Sequence, residues 1–107
     1  PLFNSIDSIL HSQMRLAIIS ILMGLESAEF VYLKEQTNAS AGNLSLQLDK
    51  LKEAKYITVT KSFKNNYPVT ICAITKIGIK AFEKYVSDLK AYIEIEKVEN
   101  LVGNRKK

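Results

Sequence analysis

The sequence has few of the residues on which catalysis, metal binding or disulfide cross-linking depends. Its 107 residues include one cysteine, one histidine, four glycines, two prolines and no tryptophan. The lone thiol, Cys72, cannot form an internal disulfide or a metal site, and its apolar surroundings favour a buried structural role, with redox sensing as the alternative. We find no paired carboxylates in a catalytic arrangement and no glycine-rich phosphate loop. The sequence therefore predicts neither an enzyme nor a bound metal or cofactor.

Long apolar runs are also missing. The longest lies at residues 16–23, contains Ser20, and is flanked by Arg15 and Glu26. A membrane span needs roughly 18 apolar residues, and nothing in the sequence resembles a signal peptide. We therefore expect a cytoplasmic protein without membrane association, folded as a single domain over residues 1–107.

Positive charge is concentrated in the middle of the chain. The formal net charge is +4, and residues 34–80 contain eight lysines against three acidic residues. The rest of the chain contains seven basic and eight acidic residues. A segregated basic region is typical of proteins that bind polyanions such as the nucleic-acid backbone. A solvated lysine-rich surface, which gives a similar pattern, is the alternative interpretation.

Hydrophobic periodicity predicts a mainly helical protein with a small β-hairpin, an α+β fold. The helix that Ser12 is expected to cap is apolar on two opposite sides, which indicates burial on both. In the helix over residues 40–55, Leu44, Leu48 and Leu51 share one inward face. The predicted elements are helices at 3–10, 12–25, 30–36, 40–55 and 75–100, strands at 56–63 and 69–74, and a flexible tail at 101–107.

Two helices joined by a short turn and followed by a hairpin make a winged helix-turn-helix. We expect its core at residues 12–74, preceded by the N-terminal helix within residues 1–11 and followed by a long C-terminal dimerisation helix.

The chain resembles the winged-helix transcriptional regulators of the broad MarR and ArsR type, above all their compact single-domain group. Residues 11–16 (H-S-Q-M-R-L) are similar to the opening H-S-x-x-R-L of that group. Residues 30–35 and 42–48 resemble F-x-x-L-K-E and G-N-L-S-x-H-L, respectively. Residues 51–57 and 74–78 resemble L-E-E-A-G-Y-V and L-T-x-x-G. The resemblance implies sequence-specific binding of double-stranded DNA, not catalysis.

Three departures from the family pattern concern the DNA-binding region. Lys55 stands where glycine is usual, so the recognition helix is expected to end without a left-handed residue. Gln47 replaces a frequent histidine. The wing carries Asn65, Asn66 and Tyr67 where basic residues are common, which predicts a weak minor-groove contact.

The resemblance places the helix at 40–55 in the major groove and the wing at 63–68 near the minor groove. Asn43 and Gln47 are expected to pair with adenine, and Ser45 with a base or a phosphate. Ser40 is expected mainly to cap the helix. The full set of predicted DNA-binding residues is Lys34, Ser40, Gly42, Asn43, Ser45, Gln47, Lys50, Lys61, Lys64 and Asn65.

The C-terminal helix is longer than one small domain can cover, although its apolar stripe continues along its length. A two-fold dimer would bury this excess and favour a palindromic operator; folding back on the same chain is the alternative. The predicted dimer-interface residues are Ile6, Leu16, Ile19, Met23, Leu89, Tyr92, Ile93 and Val98.

A winged helix can also serve as a protein-protein interaction module without DNA binding, and this is the alternative function. The scarcity of arginine and the weakly basic wing favour it, with Leu46 as the expected anchor. The sequence does not identify an operator, the regulated genes or the sign of regulation, and no residue cluster marks a small-molecule inducer site.

Overall fold

The computed structural model describes residues 1–94. From residue 12 onward these have the predicted order of helix, helix-turn-helix, hairpin and helix, with one additional short strand after the first helix. Four helices pack around a three-stranded antiparallel sheet. The elements are α1 (Gln13–Leu25), β1 (Ser27–Glu29), α2 (Phe30–Thr37), α3 (Ala41–Glu53), β2 (Ile57–Lys64), β3 (Tyr67–Ile74) and α4 (Lys76–Ile93).

Three helices begin at the hydroxyl residues that the sequence indicated. The side chain of Ser12 caps α1, Ser40 accepts a hydrogen bond from the Asn43 amide, and Thr75 accepts one from the Gly78 amide. Each such cap satisfies an otherwise unpaired amide and contributes about 1 kcal/mol to stability. The predicted starts of these helices are confirmed.

The hydrophobic core is centred on α1, which packs against the other three helices and the sheet. Ile18, Ile19 and Leu22 of α1 are buried, as are the three inward leucines of α3. Because α1 contacts α2, α3, α4, β1 and β3, it is buried on both sides, as its two apolar stripes predicted. Further buried side chains come from the rest of the described chain: Leu10, Leu33, Ile57, Cys72 and Tyr85.

The sheet has the strand order β1-β3-β2. β2 and β3 form the predicted hairpin, with Lys64 opposite Tyr67 at its tip and Ile57 opposite Ile74 at its base. β1 pairs with the other side of β3 through Ala28 and Cys72. Three residues are too few to show an alternating pattern, so β1 was not predicted.

The end of α3 corrects the expectation for Lys55. This residue does adopt a left-handed conformation, with φ of 67°. The Tyr56 amide then donates to the Leu51 carbonyl oxygen at 3.0 Å, and the Lys55 amide to the Lys52 carbonyl oxygen at 2.9 Å. This is a Schellman motif formed without glycine, at a conformational cost of roughly 1 kcal/mol.

The prediction of an N-terminal helix at residues 3–10, within the unit 1–11, is wrong. Residues 1–7 have no regular secondary structure, and a turn follows at 8–10. The Asp7 carboxylate accepts from the Ile9 and Leu10 amides at 2.8 and 3.0 Å, which stabilises the turn against a continuous helix.

Polar contacts fasten this N-terminal segment to α4 and to the end of α3. Asn4 Nδ2 donates to Asp88 Oδ1 at 3.1 Å, and Tyr92 donates to the Asn4 carbonyl oxygen at 3.0 Å. The hydrogen bond from Lys84, and then that from Asn4, lowers the pKa of Asp88 below its usual range. Tyr56 donates to the Asp7 carboxylate at 2.5 Å. These contacts hold residues 1–10 across the domain, and we call these residues the N-terminal strap.

α4 begins as predicted and ends at Ile93, with Glu94 as its C-cap. The remainder of the predicted helix, at 95–100, lies outside the described residues. So do the tail at 101–107 and Val98.

Candidate nucleic-acid interface

α3 presents a polar sector on the side opposite its buried leucines. Gly42, Asn43, Ser45 and Lys50 are all exposed there, as the helical spacing predicted. Leu46 lies in the same sector and is 52% exposed, so residues 1–94 leave about half of its surface open to solvent. The first turn of α3 thus offers short polar side chains on an uncovered surface.

The beginning of α3 is fixed by a tight connection from α2. Asn38 adopts a left-handed conformation with φ of 55°, and its amide and that of Ala39 donate to the last carbonyl groups of α2. Ser40 is exposed, and its hydroxyl accepts from the Asn43 amide at 3.1 Å. Ser40 therefore performs the predicted capping role.

Gly42 is not required by packing against the rest of residues 1–94. Apart from its two neighbours and the nearby backbone of α3, no atom of these residues lies within 4 Å of a Cβ built on it. A glycine inside a helix costs up to about 1 kcal/mol relative to alanine. The fold itself gives no reason for this cost, whereas the close approach of a ligand to the helix backbone would.

A chain of hydrogen bonds joins Arg15 on α1 to the polar sector of α3. Arg15 Nη1 donates to Gln47 Oε1 at 2.6 Å, and Gln47 Nε2 donates to Asn43 Oδ1 at 3.0 Å. Arg15 is itself held by a hydrogen bond from its Nε to the Ile9 carbonyl oxygen at 2.6 Å. The predicted residues Asn43 and Gln47 are thus brought together, and the structure adds Arg15 to them.

The wing is a hairpin with a two-residue turn, and the residues at that turn suit its backbone conformation. Asn65 and Asn66 have φ of 51° and 67°. Positive values at both central positions define a type I′ turn, for which asparagine is one of the preferred residues. Asn65 is exposed at the tip, as predicted.

The two predicted wing lysines lie on opposite faces of the hairpin. Lys61 shares a cleft with Ser45 and Lys52 of α3, on the face of the hairpin that is turned toward α3. Lys64 instead forms an ion pair with Glu29 of β1 at 3.1 Å. Because side chains alternate along a strand, Phe63 falls on the same face as Lys61. Phe63 was not among the predicted residues.

The exposed lysines nearest to this polar sector are not engaged with acidic partners. Lys34 on α2, Lys50 on α3 and Lys61 on β2 form no ion pair with any of residues 1–94. Unpaired lysine side chains on an exposed surface can approach phosphate groups without first breaking a protein contact.

Two titratable groups with raised pKa values belong to the scaffold. Burial raises the pKa of the Cys72 thiol to about 11, so the thiol stays protonated and unreactive at neutral pH. Burial, followed by the hydrogen bond to the Asp7 carboxylate, raises the pKa of Tyr56 to about 12. Its hydroxyl therefore remains a hydrogen-bond donor to the N-terminal strap.

The residues predicted for a dimer interface fall into different environments. Ile19 is fully buried in the single chain, which removes it from the surfaces that a second copy could contact. Tyr92 and Ile93 are exposed, and Val98 lies outside the described residues. The others are partly buried against the core: Ile6, Leu16, Met23 and Leu89.

Within residues 1–94, no helix combines the length and apolarity that crossing a membrane requires. Nor do three histidine, cysteine, aspartate or glutamate side chains of that stretch lie together as a metal site would need.

Comparison with known proteins relates both the sequence and the fold to DNA-binding proteins. A family model described as a winged helix DNA-binding domain matches residues 14–93. An uncharacterised protein of Methanocaldococcus jannaschii is 40% identical over 81 residues, which cover 76% of this chain and 88% of that protein.

Solved structures of MarR-like transcriptional regulators share the architecture. A transcriptional regulator homologue from Pyrococcus horikoshii has a TM-score of 0.76 at 27% identity, covering 80% of this chain and 85% of that one. BldR from Sulfolobus solfataricus has a TM-score of 0.66 at 20% identity, covering 85% and 68%. A ZitR variant from Lactococcus lactis, in complex with DNA, has 0.61 at 15%, covering 94% and 68%. At their low identities the last two show the fold alone. Together these likenesses confirm the predicted winged-helix fold.

Proposed function

Since this chain belongs to the family of winged helix DNA-binding domains, we propose that it is a sequence-specific transcriptional regulator that binds double-stranded DNA as a homodimer. In this proposal α3 occupies the major groove, and the β2–β3 wing lies beside the minor groove. No small-molecule inducer is part of the proposal.

The exposed polar sector of α3 is the observation that carries this proposal. A helix N-terminus in the major groove can place short polar side chains against base edges and its amides against phosphates. Asn43 and Ser45 lie near the start of α3 and are exposed. The unobstructed space around Gly42 would allow the sugar-phosphate backbone to approach the helix closely.

The wing contributes through its α3-facing side. Lys61 and Phe63 share that side, whereas Lys64 is paired with Glu29 on the other. We therefore assign the phosphate contact of the wing to Lys61 in preference to Lys64. Lys34 and Lys50 supply further phosphate contacts, and Asn65 lies at the tip beside the groove.

A two-fold dimer would place two copies of α3 about one duplex turn (~34 Å) apart, so the operator is expected to be palindromic. The exposed apolar residues at the described end of α4 and in the N-terminal strap are the candidates for this contact: Leu2, Phe3, Val86 and Ile93.

A protein-protein interaction module remains the second candidate function. The exposed Leu46 in the middle of the polar sector favours it, because burying this apolar side chain against a partner protein would remove it from water.

The test is selection of bound duplexes from a random double-stranded library, followed by affinity measurements at several salt concentrations. A DNA-binding regulator is expected to enrich a palindrome whose affinity falls steeply with salt, because phosphate contacts release counterions. Lys50→Ala should reduce the slope of log affinity against log salt by about 1 without changing the selected sequence. Absence of both enrichment and salt-sensitive binding would contradict the proposal and favour the protein-interaction module.

A further inference from the structure

The hydrogen-bond chain from Arg15 through Gln47 to Asn43 has a fixed direction. A guanidinium group has five N–H donors and no acceptor, so it can meet Gln47 only at the amide oxygen. The amide nitrogen of Gln47 then points to Asn43, and a nitrogen donor can be met there only by the amide oxygen of Asn43. Arg15 thereby sets the orientation of both amides.

At its solvent-exposed end, this series of hydrogen bonds presents a donor group, the amide nitrogen of Asn43. Asn43 Oδ1 is turned toward Gln47, whereas Asn43 Nδ2 makes no hydrogen bond with any of residues 1–94. An amide nitrogen carries two N–H groups. Gln47 Nε2 also keeps one N–H group beyond the one it gives to Asn43. The exposed first turns of α3 therefore present N–H donors rather than the mixed donor and acceptor edge of a free asparagine.

The pattern of base edges in the major groove then distinguishes the possible partners. Adenine offers one acceptor and one donor, whereas guanine offers two neighbouring acceptors, N7 and O6. Asparagine and glutamine pair with adenine by using their amide oxygen for its N6 amino group. Here each of those oxygens already accepts a hydrogen bond from within the protein and is turned toward that donor, so a pairing with adenine would have to use the oxygen's second lone pair.

We infer that Asn43, oriented by Arg15 through Gln47, selects guanine at one base pair of each half-site, contrary to the adenine contact expected from the residue types alone. The inference rests on the proposed function, because it names the base that this DNA-binding site prefers. Asn43 is the base-contacting residue, while Arg15 and Gln47 are positioning residues.

The base pair in question can be identified by its response to loss of the Asn43 side chain. Selection with Asn43→Ala should abolish the preference at one position per half-site and leave the others intact. The unsubstituted protein is expected to select guanine there. Replacing that guanine with 7-deazaguanine, which lacks the N7 acceptor, should weaken binding about 5- to 10-fold.

The decisive variant is Gln47→Glu, which is close in shape and keeps the contact with Arg15. A glutamate at 47 has no N–H to give to Asn43, so Asn43 would turn its nitrogen toward the carboxylate and its oxygen outward. Selection at the same position is then expected to change from guanine to adenine or cytosine, whose amino groups are donors. Gln36→Glu makes the same chemical change on α2 and should leave guanine selected.

The outcomes separate this inference from the proposed function. Enrichment of a palindrome with adenine at the Asn43-dependent position, or a preference unchanged in Gln47→Glu, would overturn the inference and leave the regulator intact. A selected sequence that Asn43→Ala leaves unaltered at every position would overturn it as well. Failure of every duplex to enrich would overturn the proposed function and the inference together. Thermal unfolding of each variant, compared with the unsubstituted protein, establishes that a changed preference comes from a folded domain.

Discussion

At Gly78 the start of α4 lies directly against the backbone of Tyr56, the residue that precedes β2. A Cβ on this residue would collide with the carbonyl oxygen of Tyr56 and lie 3.0 Å from its carbonyl carbon. These are backbone atoms, and the same carbonyl oxygen accepts a hydrogen bond from the Thr75 amide at 3.0 Å. Neither partner can move without loosening the start of α4. The family-like glycine at this position is therefore explained by a close approach of two backbones.

We expect Gly78→Ala to lower the free energy of unfolding by about 1–3 kcal/mol, the usual cost of overpacking. The measurement is the urea midpoint at unchanged slope. Gly42→Ala provides a matched control, since a methyl group there meets no other element of residues 1–94 and should stabilise α3 slightly. Equal midpoints for Gly78→Ala and the unsubstituted protein would show that the Tyr56 carbonyl group can move away from the added methyl group without loss of stability.

At the scale of elements, periodicity predicted those parts whose burial follows from local spacing. The inward leucines of α3, the two-sided α1 and the hairpin all follow from repeats of 3.6 or 2 residues. The predicted N-terminal helix does not form, because Asp7 stabilises a local turn and Asp7 and Asn4 also bind partners elsewhere in the fold. Such partners lie far away in sequence, and no local pattern encodes them.

The candidate site likewise contains features that local spacing predicts and features that depend on packing between separate elements. The exposed sector of α3 could be predicted, because it is simply the side opposite the core. The Arg15–Gln47 hydrogen bond joins residues 32 positions apart, and the Lys64–Glu29 pair joins residues 35 apart. Both depend on the packing of separate elements. The face on which Phe63 lies could have been predicted from strand alternation, since residues 57, 59, 61 and 63 share one face. Its exposure follows from its position beyond the edge of the core.

The wing offers a prediction for an apolar contact with DNA. Phe63 is 75% exposed on the face shared with Lys61, and Tyr67 is 73% exposed on the face shared with Lys64. Apolar side chains that enter the minor groove gain from burial without neutralising phosphates. We expect Phe63→Ala to weaken specific binding about tenfold while leaving the salt slope unchanged.

Tyr67→Ala removes an equally exposed aromatic ring from the opposite face of the same hairpin and is expected to leave affinity nearly unchanged. Fluorescence anisotropy with the selected duplex at several salt concentrations measures both variants. Equal losses for the two substitutions would argue against a face-specific contact and for a general effect on the hairpin.

At the scale of the whole molecule, α4 has an apolar stripe that the rest of residues 1–94 covers only in part. Val86, Leu89 and Ile93 follow one another at helical spacing, so they lie on one side of the helix. Leu89 is partly buried, whereas Ile93 is 69% exposed. Exposed apolar side chains in a contiguous stripe are typical of an interface between subunits. For the proposed dimer we therefore expect the contact on this side of α4, next to the exposed start of the N-terminal strap.

Ile93→Glu is expected to convert the dimer into a folded monomer, because a dimer would bury two carboxylates without partners. Ile77→Glu places the same charge on an isoleucine that is 53% exposed on the other side of α4, and this variant should remain dimeric. Truncating α4 would be a poorer test, since Tyr85 belongs to the core. Sedimentation velocity distinguishes the two states. In the monomer, affinity for the palindrome should fall to that for a single half-site, because binding of the two half-sites is no longer linked. A dimer that persists in Ile93→Glu would place the two-fold contact elsewhere.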